Sequence, residues 1–186
     1  MKQNPLFLTS LEPIYLEKNV PSIVKEMIKA SAKVGVGPMA AVAGAIAEFV
    51  GKTLLNYSKE IIVENGGDIF IKSSKKRYIG IYAGNSFFTK KIAIEIFPEK
   101  TPLGICTSSG TVGHSLSFGK ADAVTIISSS TALSDAAATA VGNLIKNELD
   151  IFQGIEFVKN INGLKGVLII KNDKIGIWGD IKIVNN

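Results

Sequence analysis

Apolar residues at Val20, Ile23, Val24, Met27 and Ile28 recur at i, i+3, i+4, i+7 and i+8, while Lys25, Glu26 and Lys29 take the other side. This spacing predicts an amphipathic helix laid on a core. Pro21 suits its first turn, and Gly35 and Gly37 end it. Pro38 restarts a helix through MAAVAGAIAEFVGK, which is apolar nearly all round and built of small side chains. Such a helix is buried on several sides and lets other backbone come close. Tight packing against a sheet and the approach of a ligand both fit that pattern. Before these helices, residues 1–18 read as extended, with turns near Pro5 and Pro13.

Later in the chain the period changes from 3.6 to two. Ile61-Ile62-Val63 and Ile69-Phe70-Ile71 flank Asn65-Gly66-Gly67-Asp68, a strong hairpin signal. Tyr78, Ile79 and Ile81 mark a strand. Ile92, Ile94 and Ile96 alternate with Lys91, Ala93 and Glu95, which predicts a strand with one face in the core. Leu103 to Thr107 and Ala123 to Ile127 read as buried strands, and Ser128 to Ser130 as a turn. Thr131 or Ser134 is expected to cap the helix that follows. Asn147 to Gly154 is polar, and Ile155 to Val158 is ambiguous. The end reads as a β-meander: Val167 to Ile170, Ile175 to Trp178 and Ile181 to Val184, with turns at Asn172-Asp173 and Gly179-Asp180. It either closes the sheet or pairs with another one. The fold class is α+β: a mostly antiparallel sheet with two early helices and one late helix packed against it.

Composition narrows the function classes. The 186 residues fit a single domain, 1–186, and 46% hydrophobic residues can fill a core. The net charge of +5, from 21 basic and 16 acidic residues, is spread along the chain, and Lys75-Lys76-Arg77 is its only tight basic run. No nucleic-acid partner is therefore expected, and the balance leans weakly toward small anionic ligands. The single cysteine, Cys106, excludes an internal disulfide and fits a reducing compartment, so a cytoplasmic protein is expected. With one histidine, His114, a zinc site within one chain is not expected. The N-terminus lacks signal-peptide character, and the longest apolar run, Met39 to Ala47, is too short to span a membrane. No internal repeat is visible.

The unusual polar residues gather between Gly104 and Asn143. Asp135 falls in a first helical turn and Thr139 lies four residues on, sharing its face. One carboxylate and one hydroxyl so placed can hold a hard cation, and the same pair also fits ordinary helix-start chemistry. Thr107-Ser108-Ser109-Gly110 offers hydroxyls and amides to an anion, or forms a Ser-rich turn. The NGGD segment, Asn65 to Asp68, is a tight turn or a bare loop facing a ligand. His114 has the chemistry of a general base near neutrality or of a structural histidine. Cys106 reads as a small buried residue. Tyr82 and Trp178 offer rings for stacking, although aromatics in strands ordinarily fill the core.

GAIAE in a small-residue helix, then NGGDI, TSSGTVGHS and STALSDAAATA, resemble in this order the ApbE-like superfamily. The chain looks most like its uncharacterised branch, whose members carry GPMAAVAGAIAE, VENGGDIF and CTSSGTVGHSLSFGKADAV nearly as written here. The resemblance runs from Pro5 to Trp178. It implies an ApbE-like fold lacking part of the usual N-terminal segment. The superfamily's FAD:protein FMN transferases use magnesium to move the FMN part of FAD onto a Thr or Ser of a target protein. By motif, Asp135 and Thr139 match the residues that hold Mg2+, with the backbone carbonyl of Ala47 as a third ligand. His114 matches the histidine thought to act on the acceptor hydroxyl. Asn65 to Asp68 and Thr107 to Gly110 fall in the cofactor-binding motifs. Glu48 stands where the family's GGIAK-like motif has a lysine, beside the expected phosphates, and the Asp-Pro that follows the family's histidine is missing after His114. The resemblance thus implies Mg2+ and FAD or FMN, and either a transferase or hydrolase acting on a dinucleotide or a binding module without catalysis. A protein-interaction role that has lost the ligand, and a homo-oligomer, are both left open.

Overall fold

A computed structural model describes residues 5–15, 19–113 and 116–186. The elements in chain order begin with a single helical turn, α1 (Leu6–Thr9), in a segment expected to be extended. Then come α2 (Ser22–Val34), a 3-10 turn at Pro38–Ala41 leading into α3 (Val42–Leu54), and the strands β1 (Ile61–Asn65), β2 (Asp68–Lys72), β3 (Arg77–Gly80) and β4 (Ile92–Ile96). They are followed by β5 (Leu103–Ser108), β6 (Ala123–Ser128), α4 (Thr131–Leu144), α5 (Asp150–Lys159), β7 (Leu164–Lys171), β8 (Lys174–Gly179) and β9 (Ile183–Asn185).

The larger sheet has six strands in the order β1-β2-β5-β6-β7-β8, and the smaller has three, β3-β4-β9. Every pairing is antiparallel. The α+β reading holds. Alternate residues of the central strands explain the layers. Val124, Ile126, Val167 and Ile169 join Met27, Ala136, Val141 and Val158 in a core between the sheet and the helices. Ala123, Ile127, Leu168 and Ile170 join Ile92, Ile94 and Ile96 in a second core between the two sheets. The large sheet is the middle layer, which is why β6 and β7 read as continuous apolar runs rather than as alternation.

Three local expectations are corrected. The N-cap of α4 is Ser130, whose hydroxyl accepts the Leu133 N–H at 3.3 Å, rather than Thr131 or Ser134. Both faces of β4 are covered: Glu95 is buried between Lys76 at 2.9 Å and Lys182 at 2.5 Å. The segment read as polar and ambiguous is α5. Asp150 accepts the Lys146 and Asn147 N–H groups at 2.8 and 2.9 Å and so fixes its start. Its buried stripe, Ile151, Gly154 and Val158, is thin because Gly154 leaves room for Ile169. Of the two outcomes left open for the end of the chain, its last strand takes the second: it leaves the meander and pairs with β4, so the second sheet draws on both halves of the chain.

Candidate functional site

The hairpin between β1 and β2 turns on Gly66 and Gly67, with φ of 64° and 101°. Two consecutive left-handed positions are what a two-residue hairpin of this twist demands, and glycine supplies both without strain. Asn65 then pairs with Asp68, and Asp68 pairs in turn with Cys106 on β5. This register sets the Asp68 carboxylate beside the Thr107 N–H and the Cys106 thiol, which donates to the Thr131 carbonyl at 3.4 Å.

Helix α4 brings the second carboxylate. Its first turn rests directly on β5: a Cβ at Gly104 would lie 2.3 Å from the Thr131 Cα. Between Thr131 and Ala140 every residue is buried except Asp135 and Thr139, which share one face. The Asp135 Oδ2 accepts the Gly44 N–H at 2.8 Å, and the Ala43 N–H also donates to this carboxylate. Asp135 therefore sits at the start of α3 rather than serving the start of its own helix. The Asn65 amide donates to the Ala43 carbonyl at 3.3 Å and ties the hairpin to the same turn.

Two hollows meet here. The first, about 320 Å³, runs under the NGGD hairpin and is walled by Gly66, Gly67, Ile79 to Tyr82, Thr107 to Ser109, Val112 and Gly113. The second, about 300 Å³ and more apolar, lies among Leu11, Val36, Met39, Val42, Leu116 and Phe118. Among the described residues only Asp68, Asp135 and Thr139 line both. They form the neck between them.

The electrostatics of the neck are unusual. Burial pushes the Asp68 carboxyl up to about 6, a rise partly offset by the neighbouring Cys106 thiol and Thr107 N–H. Burial, and then the charge of Asp68, hold the Asp135 carboxyl well above the usual carboxylate range, against the pull of the Gly44 and Ala43 N–H groups. Burial likewise pushes the Cys106 thiol well up, so it is not a nucleophile. Among the described residues no lysine or arginine pairs with either aspartate. Two carboxylates and a hydroxyl, all hard oxygens with no protein cation to offset them, suit Mg2+, which is ordinarily held by one or two carboxylates and completed by phosphate and water. No group of three or more His, Cys, Asp or Glu side chains stands ready to cage a metal alone among the described residues.

The remaining candidates divide. Gly66, Gly67, Thr107, Ser108 and Ser109 line the first hollow, while Asn65 supports it from behind. Gly110 turns inward: its N–H donates to the Ala121 carbonyl at 2.8 Å, and a Cβ there would strike the Gly119 carbonyl. The amides after the Ser-rich turn are not free for an anion, because the Ser109 hydroxyl accepts the Thr111 and Val112 N–H groups at 3.1 and 3.0 Å. Asp122 anchors this loop from outside, accepting the Thr111 hydroxyl at 2.9 Å and the Asn172 N–H at 2.5 Å. Ala47 is fully buried in mid-helix and lines neither hollow; the part of α3 that reaches the second hollow is Val42 and Ala43. Glu48 is also elsewhere. It is 3% exposed, and its Oε2 accepts the Thr131 and Ala132 N–H groups at 2.7 and 3.2 Å, at the start of α4. Its expected place beside phosphates is corrected accordingly. His114 lies outside the described residues. Trp178 packs against the helical core, whereas Tyr82 is exposed in the first hollow. The sequence reading gave the cation only the charge of Asp135 and did not add Asp68, and it missed the second hollow, whose walls come from the unremarkable segments around Leu11 and Val36.

A family model described as AbpE bacteria matches residues 1–154. This chain belongs to that family. It is 46% identical over 184 residues to the UPF0280 protein of Methanocaldococcus jannaschii, covering 96% of this chain and 75% of that protein. It is 41% identical over 182 residues to the UPF0280 protein of Methanosarcina acetivorans, covering 96% and 71%. Among solved structures it is similar to the apo flavinyl transferase ApbE of Pseudomonas stutzeri, with a TM-score of 0.54 and 16% identity over 78% of this chain and 48% of that one. It is also similar to the flavin transferase ApbE of Vibrio cholerae, with a TM-score of 0.54 and 14% identity over 96% and 71%. The match thus spans about half the length of the Pseudomonas chain, and these two likenesses are of fold. The ApbE-like resemblance read from the motifs holds. No single helix among the described residues is long and apolar enough to cross a membrane.

Proposed function

We propose that this protein binds FAD, or a related flavin nucleotide, together with Mg2+ across the neck between the two hollows, and that it acts on the pyrophosphate. One observation carries the reading: among the described residues Asp68, Asp135 and Thr139 alone line both hollows. A dinucleotide has two lobes joined by an anionic linker, and a linker crossing two carboxylates requires a cation between them. Asp135 and Asp68 supply formal charge to that cation, and Thr139 supplies a neutral oxygen. When bound, the cation stabilises charge on the leaving phosphate. Thr107 and Ser108, which line the first hollow, lie beside the phosphates, the Ser109 hydroxyl is held within its own turn, and His114 takes the acceptor proton in the reading the resemblance implies. An acceptor oxygen, from a protein hydroxyl or from water, forms a bond to the flavin-side phosphorus. The pyrophosphate P–O bond breaks and AMP leaves. The missing Asp-Pro after His114 favours a second reading, binding without turnover. Chromatography of FAD incubated with the protein and Mg2+ separates the two, because turnover releases AMP.

Calorimetric titration of FAD with Mg2+ and with a chelator tests the site. Wild type should bind more tightly with Mg2+. Asp135→Asn should remove most of that gain, and Thr139→Val should weaken it without abolishing it, since it deletes a neutral oxygen at nearly constant shape. Equal affinity with and without Mg2+ in wild type would end the metal reading.

A further inference from the structure

Tyr82 stands apart from the other aromatic side chains. It lines the first hollow, yet 54% of its surface is exposed. The Lys90 ammonium lies 6.0 Å from the ring centroid, over one face. Among the described residues no other ring packs on it. The backbone around it is fixed on both sides. The Ile81 N–H donates to the Ile92 carbonyl at 3.1 Å, and the Lys90 N–H donates to the Ile81 carbonyl at 3.0 Å. The Ala83 N–H donates to the Thr89 hydroxyl at 3.1 Å, which itself donates to the Gly84 carbonyl at 2.8 Å. Lys90 holds φ at 59°, in the left-handed region that a non-glycine residue seldom adopts, and its side chain lies over Tyr82. An exposed aromatic ring on a fixed loop presents a flat surface to a cavity without having to be ordered on binding. The same hollow is walled by Ile69, Ile79, Ile81 and Ile105, apolar surface that suits the faces of a flat ring.

We infer that Tyr82 is a stacking platform for the planar heteroaromatic ring of the ligand, which places that ring in the first hollow and leaves the second to the other lobe. The inference rests on the nucleotide reading above. Flavin and purine rings share the flat π-face that stacking requires, so FMN and AMP, each with Mg2+, serve as separate probes. They are titrated against wild type, Tyr82→Leu, Phe87→Leu and Phe118→Leu. Tyr82→Leu weakens FMN, AMP or both by roughly five- to 150-fold, and the ligand that weakens names the ring. If that ligand is FMN, the flavin fluorescence that tyrosine quenches in the wild-type complex recovers in Tyr82→Leu. Phe87 is the control: it is on the same loop and 65% exposed, with the Lys91 ammonium 3.4 Å from its ring centroid, but it lines neither hollow. Phe87→Leu leaves both affinities at the wild-type value. Unchanged affinity and quenching in Tyr82→Leu overturn the stacking while leaving the nucleotide reading intact. Loss in Phe118→Leu with none in Tyr82→Leu moves the ring to the second hollow and overturns it as well. If wild type binds neither probe, the nucleotide reading falls and the stacking falls with it.

Discussion

Replacing Glu48 separates two accounts of the small-residue helix. Its carboxylate accepts two backbone N–H groups from the first turn of α4, and the Ser130 hydroxyl lies 3.4 Å from the same oxygen. Its other oxygen meets Lys52 at 2.5 Å, and that lysine is 59% exposed. Hydrogen bonds to a charged group are worth about 1.5–3 kcal/mol each. Glu48→Ala deletes two of them and leaves both N–H groups buried and unpaired, so a loss of about 3–5 kcal/mol is expected, the scale for breaking a buried charge arrangement. In a chain of this length that lowers Tm by roughly 6–20 °C. Glu48→Gln keeps an acceptor oxygen but removes the charge at the helix N-terminus, so about 1–2 kcal/mol is expected. Lys52→Gln touches only the solvated half of the pair and costs about 0–1 kcal/mol. Glu48→Lys places an ammonium against backbone donors and should be the least stable of the set. Urea and thermal unfolding rank the four variants. A Glu48→Ala protein within about 1 kcal/mol of wild type refutes the cap, as does a stable Glu48→Lys protein that binds FAD more tightly.

Two further outcomes follow from the neck and the helix crossing. Because burial holds the Asp68 carboxyl at about 6 against an ordinary 3.8, the folded chain keeps this proton longer than the unfolded one. Relative to Asp68→Asn, wild type without metal should lose stability as pH rises from 3.8 to about 6 and carry that deficit above it, which parallel melts of the two proteins across pH will read. At Gly44 a Cβ would lie 2.5 Å from the Thr131 carbonyl oxygen and 2.7 Å from the Asp135 Cβ, so Gly44→Ala should cost about 1–3 kcal/mol by denaturant unfolding and weaken Mg2+-dependent binding through displaced Asp135.

Local signals carried much of this fold. Pro21 and Gly35 bound α2 because proline and a left-handed glycine act on the backbone where they stand. Gly66-Gly67 fixed a hairpin for the same reason, and the apolar run through Val124 and Ile126 marked a strand covered on both faces. The readings that failed depend on residues far apart. Helix α5 shows a weak period because a glycine occupies its packing face. Glu48 looks like a phosphate neighbour by motif, but its partners lie on a helix that the chain reaches only much later. The neck joins Asp68 from a strand to Asp135 from a helix, and no spacing rule links them. Asp135 and Thr139 were legible as one face of a helix, whereas the mutual repulsion of two carboxylates emerges only when β2, β5 and α4 are brought together.

Each of the two helices supplies the cap of the other. Neither residue just before α3, Gly37 ahead of its 3-10 turn nor Ala41, offers a side-chain cap, and Asp135 of α4 takes the first N–H groups instead. In return Glu48 of α3 takes the first N–H groups of α4. Ser130 satisfies only the Leu133 N–H at the start of α4, and the remaining backbone donors of both helix starts must still be satisfied when buried. Cross-capping meets that need and also fixes how far one helix slides along the other, since both polar pairs lose their bonds on a shift of one turn. Asp135 thus has a structural bond on one oxygen and faces the neck beside Asp68. The two duties can be separated by the choice of substitution. Asp135→Asn retains an oxygen for the Gly44 N–H, so unfolding should stay within about 1 kcal/mol of wild type while Mg2+-dependent binding is largely lost. Asp135→Ala loses both and should unfold about 1–3 kcal/mol more easily, the cost of a buried donor left unpaired. If Asp135→Asn and Asp135→Ala are equally destabilised and both keep Mg2+-dependent binding, Asp135 is a cap only, and the cation belongs elsewhere in the neck.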